Sequence, residues 1–220
     1  MKVKGAFAVN PLLRQVPAGG DRNFAYLLVD SGEAAAVDPL DPGAVLRAAR
    51  ELGVKIRWIL NTHGHSDHTG GNEELRAATG AKVAAHHSSP APKDLALRHG
   101  DEVPLGRTRI RVLHTPGHTE DSICFLWEGN LLTGDTLFVG KVGGTDYGEG
   151  AQKEYRSLHE VIGLLPGETR VWPGHDVGRA PSSTVASEKA TNPFYLQPDF
   201  ASFLHLKKNW AAYKKKHGIP

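Results

Sequence analysis

Between positions 63 and 68 the chain reads His-Gly-His-Ser-Asp-His, directly after the apolar run Ile56 to Leu60. A short apolar run ending in polar residues is a buried strand, and Asn72 to Thr79, closed by Gly80, carries a helix pattern. The cluster therefore occupies a strand-to-helix loop. On extended backbone, side chains two apart share a face, so His63 and His65 point the same way. The turn through Ser66 swings Asp67 and His68 toward a second point nearby, so that one loop can serve two cations. Three more ligand-type residues, His118, Asp135 and His175, each follow an apolar strand pattern and precede a glycine-rich or polar loop. In open α/β architectures such strand ends gather along one edge.

The remaining pattern alternates strands and helices. Asn23 to Asp30 and Glu33 to Asp38 read as paired strands joined by a Ser31-Gly32 turn. Asp41-Pro42 caps a helix whose apolar face is Val45, Leu46, Ala49 and Leu52, stopped by Gly53. Ala81 to His86, Ser122 to Trp127 and Leu131 to Asp135 read as further strands, the last two joined by a Gly129-Asn130 turn, while Arg109 to Thr119 and Arg170 to Asp176 each read as a strand running into its loop. A glycine-rich loop over Phe138 to Gly150 precedes a helix over Glu154 to Leu165. Phe200, Phe203, Leu204, Leu206, Trp210 and Tyr213 predict one C-terminal amphipathic helix.

Composition excludes several classes. Of 220 residues, 40% are apolar and 23% charged, which suits one sizeable core and rules out a disordered chain. A net charge of +2 provides no long-range field for nucleic acid or an anionic membrane. The lone Cys124 can close no intrachain disulfide, and no apolar stretch approaches the ~20 residues of a membrane span. MKVKGAFAVNPLL lacks the apolar core and cleavage site of a signal peptide, so a cytoplasmic protein is expected. A single domain over residues 1–220, with a short helical segment at about 195–217, is expected from the absence of any linker.

THGHSDHTGG, TPGHT, TGDTLF and PGHD, in this order, resemble the metallo-β-lactamase superfamily, and the likeness runs from Asn23 to Phe194. It implies an α/β fold, an αββα four-layer sandwich of two mixed β-sheets flanked by helices, with the metal site at one edge. It assigns His63, His65 and His118 to one metal, Asp67, His68 and His175 to a second, and makes Asp135 a bridge. Imidazole and carboxylate suit zinc, iron and manganese, and the motifs contain no thiolate. The implied centre is catalytic: two divalent cations, zinc first, activate a hydroxide that Asp67 also orients. Gly117 and Gly134 are expected to let the backbone approach the metals.

Within the superfamily, NFAYLLVD, AAAVDP, GDTLFVG and the segment Pro181 to Phe194 are most similar to glyoxalase II, a hydroxyacylglutathione hydrolase. The implied substrate is a small-molecule thioester or thiol-derived compound, whose thiol departs as thiolate with little need of a general acid. The chain departs from that family at three positions. Gly144, Asp146 and Val177 stand where glyoxalase II has a basic residue and two tyrosines that hold glutathione. Lys141 and Tyr147 lie close enough in sequence to substitute. Lys207 and Lys208 either belong to a solvated helix face or bind a substrate carboxylate. Gly144 to Tyr147 also resembles an element of the persulfide dioxygenases. That branch holds a single Fe(II) on the counterparts of His63, His118 and Asp135. A hydrolase is the favoured reading, with the mononuclear dioxygenase and a lactonase-type metallohydrolase as alternatives. His86 and His87 are expected in a hydrogen-bonded surface or rim role instead of metal ligation, and Cys124 as a small buried hydrophobe.

Overall fold

The computed structural model describes residues 11–219; the signal-peptide reading rests mostly on residues 1–10, outside that range. The first sheet consists of β1 (Leu12–Pro17), β2 (Phe24–Asp30), β3 (Glu33–Val37), β4 (Lys55–Leu60), β5 (Lys82–His86) and β6 (Leu95–Leu97), side by side in that order. It is antiparallel from β1 to β3 and parallel from β3 to β6. The second contains β7 (Glu102–Leu105), β8 (Thr108–His114), β9 (Ile123–Trp127) and β10 (Asn130–Gly134). A two-stranded ribbon, β11 (Leu137–Phe138) and β12 (Lys141–Val142), follows before the chain returns as β13 (Arg170–Pro173) and β14 (Ser183–Thr184). In this sheet β13 lies parallel to β10 and the other pairs are antiparallel. Both sheets are therefore mixed.

All of β2 is buried, because both faces of its sheet are covered. Tyr26 and Leu28 point into an inter-sheet core with Leu60, Ile110, Phe125 and Trp127, while Leu27 and Val29 point out beneath α1 (Pro42–Leu52). Asp41 caps α1 by accepting from the Ala44 amide at 2.9 Å, and Gly53 ends it with φ of 66°. The short α2 (Ser66–Thr69) and α3 (Asn72–Thr79) follow β4. Leu75 of α3 joins the layer under α1. On the other side, α4 (Glu149–Arg156), α5 (Val185–Thr191), α6 (Phe200–Lys208) and α7 (Trp210–His217) cover the second sheet. Leu158, Val185, Phe203 and Leu206 pack there on Leu131 and Val171. The order of layers is helix, sheet, sheet, helix.

Several boundaries differ from the expected ones. The C-terminal helix is two, broken at Asn209, whose side chain donates to the His205 carbonyl at 2.9 Å. The helix expected from Glu154 starts at Glu149, because Asp146 Oδ1 accepts from the Gly148 and Gly150 amides at 2.6 and 3.1 Å. It then widens to a π turn over Ser157–Val161 and tightens over Ile162–Leu164. The β9–β10 turn uses Glu128 and Gly129, both at positive φ, one residue earlier than expected. The strands β1, β6, β7 and β14 and the ribbon β11–β12, which reaches into the expected glycine-rich loop, were not anticipated. β1 is an edge strand with half-exposed residues, and β7 carries Pro104, which only an edge accepts readily.

Candidate metal centre

The parallel strands β3, β4 and β5, and β10 with β13, direct their C-terminal ends to one edge of the sandwich. After β4, Asn61 anchors the histidine loop by donating to the His68 carbonyl at 3.1 Å and by pairing with Asn72. Helix α2 begins immediately, with the His68 and Thr69 amides closing on the His65 carbonyl. This tight reversal sends His63 and His65 one way and Asp67 and His68 another. Loops after β8, β10 and β13 bring His118, Asp135 and His175 to the same edge.

The seven side chains converge. His65 Nδ1 lies 3.0 Å from His63 Nε2 and 3.1 Å from His118 Nε2. His68 Nε2 lies 3.3 Å from His175 Nε2, and Asp67 Oδ2 is 3.4 to 3.5 Å from both. Asp135 stands between the groups, 3.3 Å from His68, 3.4 Å from His175 and 3.6 Å from His118. Potential ligand atoms fall into the sets His63–His65–His118, His63–His68–Asp135 and Asp67–His68–His175.

The outer faces of the rings decide which nitrogens look inward. His118 Nδ1 meets the Gly144 carbonyl and His175 Nδ1 meets the Asp21 carbonyl, each at 2.8 Å. A carbonyl only accepts, so both Nδ1 atoms carry hydrogen and both neutral Nε2 atoms offer lone pairs. His68 Nδ1 lies 2.9 Å from Asp38 Oδ2, and His63 Nδ1 3.1 Å from Thr62 Oγ1, whose hydroxyl donates to Asp38. The lone pairs of His63 Nε2 and His118 Nε2 both face His65 Nδ1, at 3.0 and 3.1 Å, and one cation among the three nitrogens would satisfy them together. Asp135 Oδ1 is buried, faces His68 Nε2 at 3.3 Å and makes no well-formed hydrogen bond, which points to the same need. The donor set of imidazole and carboxylate fits a divalent metal.

Electrostatics divides the rings. Burial, aided by His68, pushes His63 down to about 3, and burial also lowers His118. Burial works against a charged His68 as well, yet the Asp38 and Asp135 carboxylates overcome it and raise this ring to about 10. His175 is raised against burial by Asp135. Against its own burial, Asp135 is held far below the usual carboxylate range by His175 and His68. Asp67 is lowered against burial by the hydrogen bond from Asn23 Nδ2, at 3.1 Å.

Sequence reasoning missed Asp38, Thr62, Asn23 and the two carbonyl acceptors. Asp38 had a usable signal: like Asp135, it ends an apolar strand. Replacing it by alanine strips the outer partner from His68, and metal affinity is expected to fall ~10- to 100-fold, measured by titration of metal-free protein. The glycine expectation is corrected. Gly117 packs against the backbone of Glu154, and Gly134 against Thr62; a Cβ at either would lie within 2.4 Å. Gly174 is the close approach to the ligands, since a Cβ there would come within 2.5 Å of Asp135 Oδ1.

Lys141, Tyr147 and Lys208 line a cavity of about 340 Å³ beside Gly143 and Gly144. Lys208 Nζ sits 6.0 Å over the Tyr147 ring. Lys207 borders this cavity too, but its ammonium is neither solvated nor free. It is buried, paired with Glu154, and donates to the Gly143 carbonyl at 2.8 Å. His86 is buried instead of at a rim, held by Ser88 Oγ at 2.7 Å and stacked on His114. Cys124 is fully buried, and burial pushes its thiol up to about 12.

Residues 18–175 match the Metallo-beta-lactamase superfamily. The chain belongs to this superfamily. Among its members, the hydroxyacylglutathione hydrolase of Anaeromyxobacter dehalogenans is 43% identical over 185 residues, 83% of this chain and 69% of that protein. Human mitochondrial persulfide dioxygenase ETHE1 is 35% identical over 198 residues, 86% of this chain and 78% of that protein. The crystal structure of ETHE1 from Myxococcus xanthus superposes with a TM-score of 0.85 at 34% identity, covering 90% of this chain and 91% of that one. The chain spans only 62 to 69% of the length of four hydroxyacylglutathione hydrolases that it matches. The superfamily fold and the imidazole–carboxylate groups together support binding of divalent metal.

Proposed function

We propose that this protein is a metal-dependent thioester hydrolase of the hydroxyacylglutathione hydrolase type. The observation that carries the reading is the pair of three-residue ligand sets with Asp135 between them. The 43% identity to a hydroxyacylglutathione hydrolase supplies the reaction class. His63, His65 and His118 would hold one cation, Asp67, His68 and His175 the other, with Asp135 shared and zinc the first expectation. Such a pair lowers the pKa of water toward ~7 and polarises a carbonyl. The chain's own residues do the rest. Asp67 has 43% of its side chain exposed at the mouth of the site while Asn23 fixes one of its oxygens. Its carboxylate is thus placed to accept a hydrogen bond from attacking water and orient it. The departing thiol, of pKa about 8.5, leaves as thiolate without a protein acid.

Lys141 and Lys208 line the cavity beside Gly144, and in this reading they would hold anionic groups of the substrate. Each alanine variant is expected to raise KM for an anionic thioester about fivefold with kcat nearly unchanged, as loss of an exposed ionic contact implies. Steady-state kinetics on S-lactoylglutathione checks this.

One observation favours a second reading. The chain covers 91% of the Myxococcus xanthus ETHE1 structure but about two thirds of four of the hydrolases, although it covers 87% of the one from Maricaulis maris. His63, His118 and Asp135 would then form a two-histidine, one-carboxylate face for one Fe(II). One preparation assayed twice separates the two: thiol release from S-lactoylglutathione supports the hydrolase, whereas O₂ uptake with glutathione persulfide and no thiol release overturns it.

A further inference from the structure

The most unusual buried group outside the centre is the ion pair of Glu154 and Lys207, 0% and 8% exposed. Burying two charges costs several kcal/mol per ion, and an apolar pair of similar volume is often at least as stable. Docking of α6 does not need the pair, because Phe203 and Leu206 already bury its apolar face. What the pair touches is more informative. Lys207 Nζ lies 5.6 and 5.8 Å from the Phe203 and Phe194 rings and donates to the Gly143 carbonyl. The next carbonyl along, that of Gly144, accepts the Nδ1 hydrogen of His118. Glu154 sits at the other end of the same histidine. Its backbone presses on Gly117, where a Cβ would lie 2.6 Å from Glu154 N, and Ser157 Oγ ties α4 to the Pro116 carbonyl at 2.8 Å.

His118 is therefore gripped twice, through the backbone residue before it and through the acceptor of its outer nitrogen, and the ion pair joins the two grips. We infer that Lys207 and Glu154 are positioning residues that set the ring of His118 for metal binding. The inference rests on the assignment of His118 to the first metal set. Lys207 acts from within the protein, and its distance from solvent is a requirement of that role. Without its ammonium the Gly143–Gly144 loop segment can drift. The His118 ring would then turn with its acceptor, while Asp67, His68 and His175, on other loops, would stay in place.

The test is cobalt titration of the metal-free, full-length protein carrying E154L and K207M together, with H118A as a marker. The apolar pair keeps the volume and removes both charges, so the unfolding midpoint is expected to stay within a few degrees of wild type. One equivalent of cobalt should weaken ~10-fold or more, as for loss of an outer-shell partner, and its visible absorption should change in the band that H118A removes. The second equivalent should bind as in wild type. Wild-type affinity and spectrum for both equivalents would overturn the inference. If wild type itself binds no cobalt, the metal assignment fails instead. Should the double variant not fold, K207M and K207Q decide: the glutamine amide keeps a donor for Gly143, so an equal loss in the two, or none, contradicts positioning.

Discussion

Alanine at Asp135 is expected to reduce thioester hydrolysis ~10³-fold or more and to leave the protein unable to retain its full metal complement. Asp135 is the carboxylate that approaches rings of both metal sets, lying 3.3 to 3.6 Å from His68, His175 and His118. Its removal takes a negative charge from among five imidazoles, so that each remaining set becomes poorer in charge as well as in ligand number. The fold should survive, because Asp135 follows β10 and contributes nothing to the inter-sheet core. Metal per chain and kcat/KM, measured on a variant whose circular dichroism matches wild type, check the prediction. Substitution by asparagine, which keeps the shape but not the charge, should fall between the two.

Acid should weaken metal binding steeply, and the sign follows from His68. In the metal-free protein Asp38 and Asp135 raise this ring well above its usual range, so it carries a proton at neutral pH that a metal must displace. Affinity at its set is expected to drop about tenfold per pH unit as pH falls from His68's raised value toward neutral. Calorimetry in buffers of different ionisation enthalpy counts the proton released. Metal-free stability responds in both directions. His68 is raised to about 10, so its contribution is complete below its unfolded value of 6.5 and is lost as pH rises through 10. His63 is depressed to about 3, so its contribution is present above 6.5 and is lost as pH falls through 3. Chelator-treated protein should therefore unfold most reluctantly near pH 6.5, with losses on both sides. A monotonic profile would contradict these assignments.

Much of the centre was legible in the residues because its chemistry is local. His63 to His68 is one segment, and each of His118, Asp135 and His175 lies in the loop just after a strand, a position that period-two patterning exposes. The resemblance to the metallo-β-lactamase superfamily supplied the layers, which patterning could only accommodate. What stayed hidden is long-range. Asp38 reaches His68 across 30 positions, and Lys207 meets Gly143 across 64. Lys207 illustrates the limit well: in a lysine-rich run it reads as a solvated helix face, and only packing of α6 on α4 shows that its ammonium points inward. The edge strands were hidden for another reason. β1 buries little and so alternates weakly, while β7 alternates but is only four residues long and interrupted by Pro104; both form because a neighbouring strand offers unpaired backbone groups.

The account stands on seven side chains holding a pair of cations that a thioester can reach. Metal content of protein purified without added metal, with thiol release from S-lactoylglutathione followed on the same sample, tests this most directly. Two divalent cations per chain, with release abolished by chelation and restored by zinc, is the predicted result. A preparation that hydrolyses the thioester unchanged after complete metal removal, or that takes up no divalent cation at all, would contradict it.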